Sequence, residues 1–126
     1  METDVDVICD IIRESDIKTT FGKDLFDLVI CMNVLEHVYR PINALENMSS
    51  LISPTGYLLV VVPVVWDLHD FPADFYRLNP DFFKMFASHN ALYILENSML
   101  FSLRENRQFF SDIKTFPTEN PQFGNN

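Results

Sequence analysis

Two nearly continuous apolar runs set the frame of this chain. Leu25 through Met32 and Tyr57 through Val62 are rich in aliphatic and β-branched side chains. Runs of this length without polar alternation predict strands covered on both faces, as in a parallel sheet. Between them, Ile42, Leu45, Met48 and Ile52 recur at near-helical spacing behind Arg40-Pro41. Proline suits the first helical position, where its missing N–H costs nothing. Pro54-Thr55-Gly56 then predicts a turn, and Pro63 ends the second strand.

The flanks are less regular. Val5-Asp6-Val7-Ile8-Cys9 is a short β-rich run. Residues 11–24 are mixed and polar with Gly22 as a turn signal, which predicts a loop with at most one helical turn. Residues 64–78 form a long connection rich in aromatics, His and Asp. Asn79-Pro80-Asp81 has the cap, the proline and the acid of a helix start. Phe82, Phe83, Met85 and Phe86 give that helix an apolar face ending near His89-Asn90, and residues 91–103 read as a further strand. Strands alternating with helices predict an α/β, mostly parallel, doubly wound sheet.

Composition narrows the functional classes. A chain of 126 residues is a one-domain length, and 48% hydrophobic with 21% charged residues is globular. The net charge of -9 repels long polyanions, so a nucleic-acid partner is not expected. The longest apolar run, residues 57–65, is interrupted by Pro63 and is too short to cross a bilayer, so no membrane partner is expected either. Residues 1–6 are acidic and lack the basic and apolar regions of a signal peptide. Cys9 and Cys31 sit in apolar runs and read as buried, reduced thiols of a cytoplasmic protein. His37, His69 and His89 are far apart and lack a metal-ligand frame, so no metal is expected.

At Phe26-Asp27-Leu28-Val29-Ile30-Cys31-Met32-Asn33-Val34-Leu35-Glu36-His37-Val38 the pattern becomes specific. It resembles the fourth-strand motif of class I S-adenosylmethionine-dependent methyltransferases of the type 11-like group, in which F-D-x-V-hydrophobic runs into V-L-E-H-V. Leu51-Ile52-Ser53-Pro54-Thr55-Gly56-Tyr57-Leu58 resembles their L-x-P-G-G turn into the fifth strand, with Thr55 in place of the first glycine. Val5 to Ile11 resembles the third strand and its terminal acid. The stretch from His69 to Pro80 resembles an H-x-x-P-x-D-Y-W-R-F-T-P segment of one subgroup, many members of which belong to carbohydrate and surface-polymer gene neighbourhoods.

The resemblance implies a partial Rossmann-like methyltransferase sheet with strands equivalent to three to six and flanking helices. It places the domain at residues 1–104 and a polar, flexible tail at 105–126. The family's glycine-rich cofactor loop and ribose-binding acid have no counterpart, since the only glycines are Gly22, Gly56 and Gly124. The chain therefore reads as a C-terminal portion, and a complementing N-terminal polypeptide is one candidate partner. Because the family's first two strands would lie between the third and fourth, residues 5–9 have three options. They stay loose, pair directly with residues 26–32, or take a strand from another chain.

By resemblance, Asp10 would bind the adenine amino group of S-adenosylmethionine and Ile11 would pack on its ring; the alternative for Asp10 is a strand-end acid capping a turn. Met32 and Asn33 would lie near the methyl group, at the carboxyl end of a strand where ligands of open α/β sheets bind. Glu36 and His37 are candidates for a general base pair, or for stabilising the turn after the strand. His69, Asp74 and Arg77 are candidates for holding a small-molecule or carbohydrate substrate. The alternative for Asp74 and Arg77 is a structural pair that pins their loop. Trp66, Phe71, Phe75 and Tyr76 read as core, or as a platform for a flat or sugar-like acceptor. Methyl transfer is one implied function. A non-catalytic remnant serving as an interaction module, or one half of a split enzyme, is the other.

Overall fold

The computed structural model describes residues 5–95 together with 100–101, 104–105, 108–109 and 114–115. The chain divides into two compact units, Met1–Arg77 and Leu78–Asn126.

The first unit is built on one parallel pair of strands. The apolar runs form β1 (Phe26–Met32) and β2 (Ile52–Val61). They are joined by a single 3-10 turn at Leu35–His37 and the helix α2 (Pro41–Ser50). Pro41 does open α2, and Leu45 and Met48 are buried on its inner face with Ala44. A second helix, α1 (Glu14–Phe21), precedes β1. Helix α2 packs against β2, α1 and the 3-10 turn, so the core lies on one side of the strand pair.

Helix α1 runs through a segment whose polarity predicts mostly loop. Only Ile17 on it is buried, and no side chain caps its start. Its hold comes from the buried Ile17, the Glu14–Lys18 ion pair one turn apart, and Gly22 as terminator. Gly22 has φ +60 and donates its N–H to the Lys18 carbonyl at 3.0 Å, the left-handed stop that glycine makes easily.

The Pro54-Thr55-Gly56 segment also departs from its prediction, because it lies within β2. The register shows why both descriptions have a basis. Phe26 faces Ile52 while Leu28 already faces Tyr57, so residues 53–56 bulge out opposite a single residue. Gly56 is required there by close approach. A Cβ at this position would lie 2.8 Å from the Phe26 carbonyl oxygen and 2.8 Å from Ile52 Cγ2.

The sheet departs from the expected doubly wound form. Among the described residues β1 and β2 make a two-stranded sheet, and residues 5–9 are in no ladder. Val5, Val7 and Ile8 are exposed, and of the options for this segment direct pairing with residues 26–32 is not seen. The strand faces are unequal. Leu28, Ile30 and Met32 on β1 and Tyr57, Leu59 and Val61 on β2 are all exposed, whereas Cys31 on the opposite face is buried. The pattern therefore announced two covered faces, and the fold covers one.

The second unit begins with α3 (Pro80–His89), whose start follows its sequence signals. The Asn79 side chain accepts the Phe82 N–H at 3.1 Å and Pro80 occupies the first turn. Residues 91–95 are not a strand. Beyond them lie four two-residue strands: β3 (Leu100–Phe101), β4 (Arg104–Glu105), β5 (Gln108–Phe109) and β6 (Lys114–Thr115). β3 pairs antiparallel with β6, and β4 with β5. The rest of the expected strand at 91–103, and most of the tail at 105–126, lie outside the described residues.

Candidate functional site

The carboxyl end of β1 runs directly into a polar cluster. Asn33 continues the ladder by donating its N–H to the Val61 carbonyl at 2.8 Å. It adopts φ +51, a left-handed conformation that asparagine tolerates better than most residues and that turns the chain out of the sheet. The 3-10 turn that follows buries Leu35 and Glu36 completely, leaving the Glu36 side chain 1% exposed.

The long connection after β2 folds back over this turn. The Glu36 carbonyl accepts N–H groups from Phe75 at 2.8 Å and Tyr76 at 3.3 Å, and the Tyr76 hydroxyl donates to the Tyr39 carbonyl at 3.0 Å. His37 Nδ1 lies 2.6 Å from the Ala73 carbonyl oxygen. Since that oxygen can only accept, Nδ1 carries a proton, and in the neutral ring Nε2 holds the lone pair. Nε2 lies 3.8 Å from both Glu36 Oε1 and Asp70 Oδ2.

His69 meets His37 ring to ring, with centroids 4.9 Å apart at 81°. Its Nδ1 faces only acceptors, the Asp67 carbonyl at 3.2 Å and Asp74 Oδ2 at 3.3 Å. Two residues distant by 32 positions in sequence are thereby joined in one site.

Asp74 and Arg77 form the frame under this site. The guanidinium grips the carboxylate with both terminal nitrogens, and the Asp74 side chain is 3% exposed. Hydrogen bonds from Arg77 and from the His69 N–H, outweighing the opposing effect of burial, hold the Asp74 carboxyl well below the usual carboxylate range. Its hydrogen bonds to Asp74 raise Arg77 above its ordinary value. Arg77 also donates to the carbonyls of Trp66, Asp67 and Tyr76. Its five N–H donors are all committed. This geometry supports the pinning role for the pair.

One group is left over. Neither carboxylate oxygen of the buried Glu36 has a hydrogen-bond partner among the described residues. Its charge reaches Cys31, whose thiol is pushed up first by burial and then by Glu36. Cys31 is buried and Cys9 half-buried, and both are free thiols.

Of the residues expected to hold a cofactor, Met32 and Asn33 lie at the carboxyl end of β1, and Asp10 and Ile11 precede α1. Asp10 Oδ1 accepts the Ile12 N–H at 3.1 Å, and Oδ2 pairs with Arg13 at 3.1 Å. The Ile11 carbonyl is held by Asn47 Nδ2 at 2.7 Å, which fixes this segment to α2. Asn47 was not singled out from the sequence, although a nearly buried amide on the inner face of an amphipathic helix is a recognisable signal. Met32 is exposed. Asp70, Ala73 and the Phe75 N–H also escaped sequence reading, because backbone groups and loop-borne contacts leave no periodic trace. Trp66, Phe71 and Phe75 are exposed, which corrects their reading as core: the loop's polar frame fixes its path without burying these rings.

A parallel α/β strand pair with polar residues gathered at its carboxyl end defines the class, an α/β domain with its polar cluster where ligands of open sheets usually bind. The family follows from comparison. The profile of the methyltransferase domain family matches residues 5–114, and the chain belongs to that family, the class I S-adenosylmethionine-dependent methyltransferases. No curated protein and no solved structure matches the chain. No helix among the described residues is long and apolar enough to cross a membrane.

Proposed function

We propose that this chain carries the acceptor side of an S-adenosylmethionine-dependent methyltransferase acting on a small-molecule or carbohydrate-type acceptor. One observation carries the reading: in a chain of this family, Glu36, His37, His69, Asp74 and Arg77 converge beyond the carboxyl end of β1. Methyl transfer is in-line attack by an acceptor nucleophile on the cofactor's methyl group, in which positioning lowers most of the barrier. His37 and Glu36 are suited to orienting that nucleophile, and His69 to lining its cleft.

The strand equivalences follow the same reading: β1 as the family's fourth strand and β2 as its fifth. The residues present fit only the adenine end of the cofactor. Asp10 keeps acceptor capacity beyond its bonds to Ile12 and Arg13, and the Asn47 tether fixes Ile11 beside it. Nothing in the sequence supplies the glycine-rich approach that the methionine end needs. A complementing N-terminal polypeptide would supply it, and no step is assigned to the cofactor on this chain alone. The exposed face of β1 and β2 favours a second reading, in which the same scaffold serves as an interaction module without catalysis.

Titration with S-adenosylmethionine, followed by chemical shifts of residues 10–12, tests the proposal. An adenine-end contact alone gives a Kd on the order of 0.1–1 mM, about 4–5.5 kcal/mol. Asp10→Ala and Ile11→Ala each weaken it. The absence of any shift at millimolar cofactor would overturn the cofactor reading. A saturable micromolar isotherm would overturn the incompleteness of the pocket.

A further inference from the structure

Glu36 poses a specific problem. A carboxylate removed from water with neither oxygen hydrogen-bonded is costly unless a cation meets it. Its charge influences Arg77, but all five Arg77 donors are spent on Asp74 and three carbonyls. What faces the carboxylate is instead a pair of imidazoles. One ligand atom each from Glu36, His37 and His69 lies within 4.8 Å of the others.

The imidazoles are set up as ligands. His37 gives its Nδ1 proton to the Ala73 carbonyl. His69 Nδ1 faces the Asp67 carbonyl and the Asp74 carboxylate, which is itself clamped by Arg77. With Nδ1 so engaged, Nε2 is the atom that each ring, in its neutral form, has left to bind a metal. Anchoring of the far ring nitrogen by a carbonyl or carboxylate is the outer-shell arrangement that orients metal-bound histidines.

We propose that Glu36, His37 and His69 form a two-histidine, one-carboxylate site for a divalent first-row transition-metal ion. Asp70, whose carboxylate lies 3.8 Å from His37 Nε2 and is largely exposed, stands at its open side. Imidazole with carboxylate selects zinc and its neighbours over calcium or magnesium, which prefer all-oxygen sets. Ligand bonds of about 2.0–2.2 Å set tetrahedral ligand atoms about 3.3–3.6 Å apart, so a pair at the 4.8 Å limit closes by about 1.2–1.5 Å. Glu36, with no hydrogen bond to either carboxylate oxygen, is the member whose side chain makes that adjustment. The vacant positions on the Asp70 side accept water or an oxygen of the acceptor. The inference goes beyond methyl transfer and needs no cofactor.

The test is calorimetric titration of the full chain with Zn²⁺ alone, without S-adenosylmethionine, so that failure of the cofactor reading leaves the result intact. One equivalent binds with a micromolar Kd. His69→Ala and Glu36→Gln each weaken binding about tenfold or more, and His89→Ala leaves it unchanged. In the unmutated chain, Co²⁺ shifts or broadens the imidazole signals of His37 and His69 and spares those of His89. This second readout stands even where a variant fails to fold. No heat with millimolar Zn²⁺, full affinity in Glu36→Gln, or Co²⁺ effects confined to His89 would each overturn the proposal.

Discussion

Asp74 shows how a single side chain holds the site in place. Its carboxylate takes both terminal nitrogens of Arg77 and the backbone N–H of His69, and these bonds keep it ionised to unusually low pH. A carboxyl whose folded value is depressed contributes stability that is complete above its unfolded value of about 3.9. That stability drains away as pH falls below this point. The many other acids of the chain titrate in the same range, so the informative quantity is a difference. Denaturant stability of the native chain minus that of Asp74→Asn is expected to stay constant between pH 7 and about 4 and to shrink as pH drops further. A difference that remains flat down to pH 2.5 would mean that the pair does not stabilise the fold. The same substitution frees His69, linking stability of the loop to geometry of the cluster.

At the scale of elements, the decisive contact is the bulge of β2 over Phe26. Gly56 has no room for a Cβ, since the Phe26 carbonyl oxygen is backbone and cannot swing aside. Gly56→Ala is therefore expected to cost about 1–3 kcal/mol, the range for forced overpacking. Chemical denaturation measures it, and a change below a few tenths would show that the bulge relaxes freely. This element also shows what sequence could and could not announce. β1, α2 and the start of α3 were legible because each has a local cause: an unbroken apolar run, Pro41 before an apolar stripe, and an Asn79 cap before Pro80. Helix α1 was not, because its support is tertiary burial of one residue, Ile17, which a polar window hides. The candidate site was half legible. Glu36-His37 and the His69–Arg77 stretch were visible as chemistry, but their convergence depends on backbone bonds from residues 73, 75 and 76, which carry no residue-type signal.

For the first unit as a whole, the two faces of the strand pair have different energetic standing. Leu45 is 1% exposed on the inner face of α2, while Leu59 on β2 is 48% exposed. The area removed from water sets the stabilisation, so equal side chains contribute unequally. Leu45→Ala is expected to cost about 2–5 kcal/mol through lost burial and the cavity left behind. Leu59→Thr puts a β-branched residue that suits a strand at this position and is expected to change stability by less than about 0.5 kcal/mol, as for an exposed site. Six exposed apolar residues on one face of one strand pair would otherwise be a liability for self-association, and the net charge of -9 opposes it by mutual repulsion. The pair of substitutions separates a face that is bare from one that is covered in solution. If Leu59→Thr proves as damaging as Leu45→Ala, that face is buried in the working protein, and the complementing polypeptide gains direct support. If it is neutral, or even raises solubility, the exposed face is the native condition of this chain and the interaction-module reading must find its partner by other means.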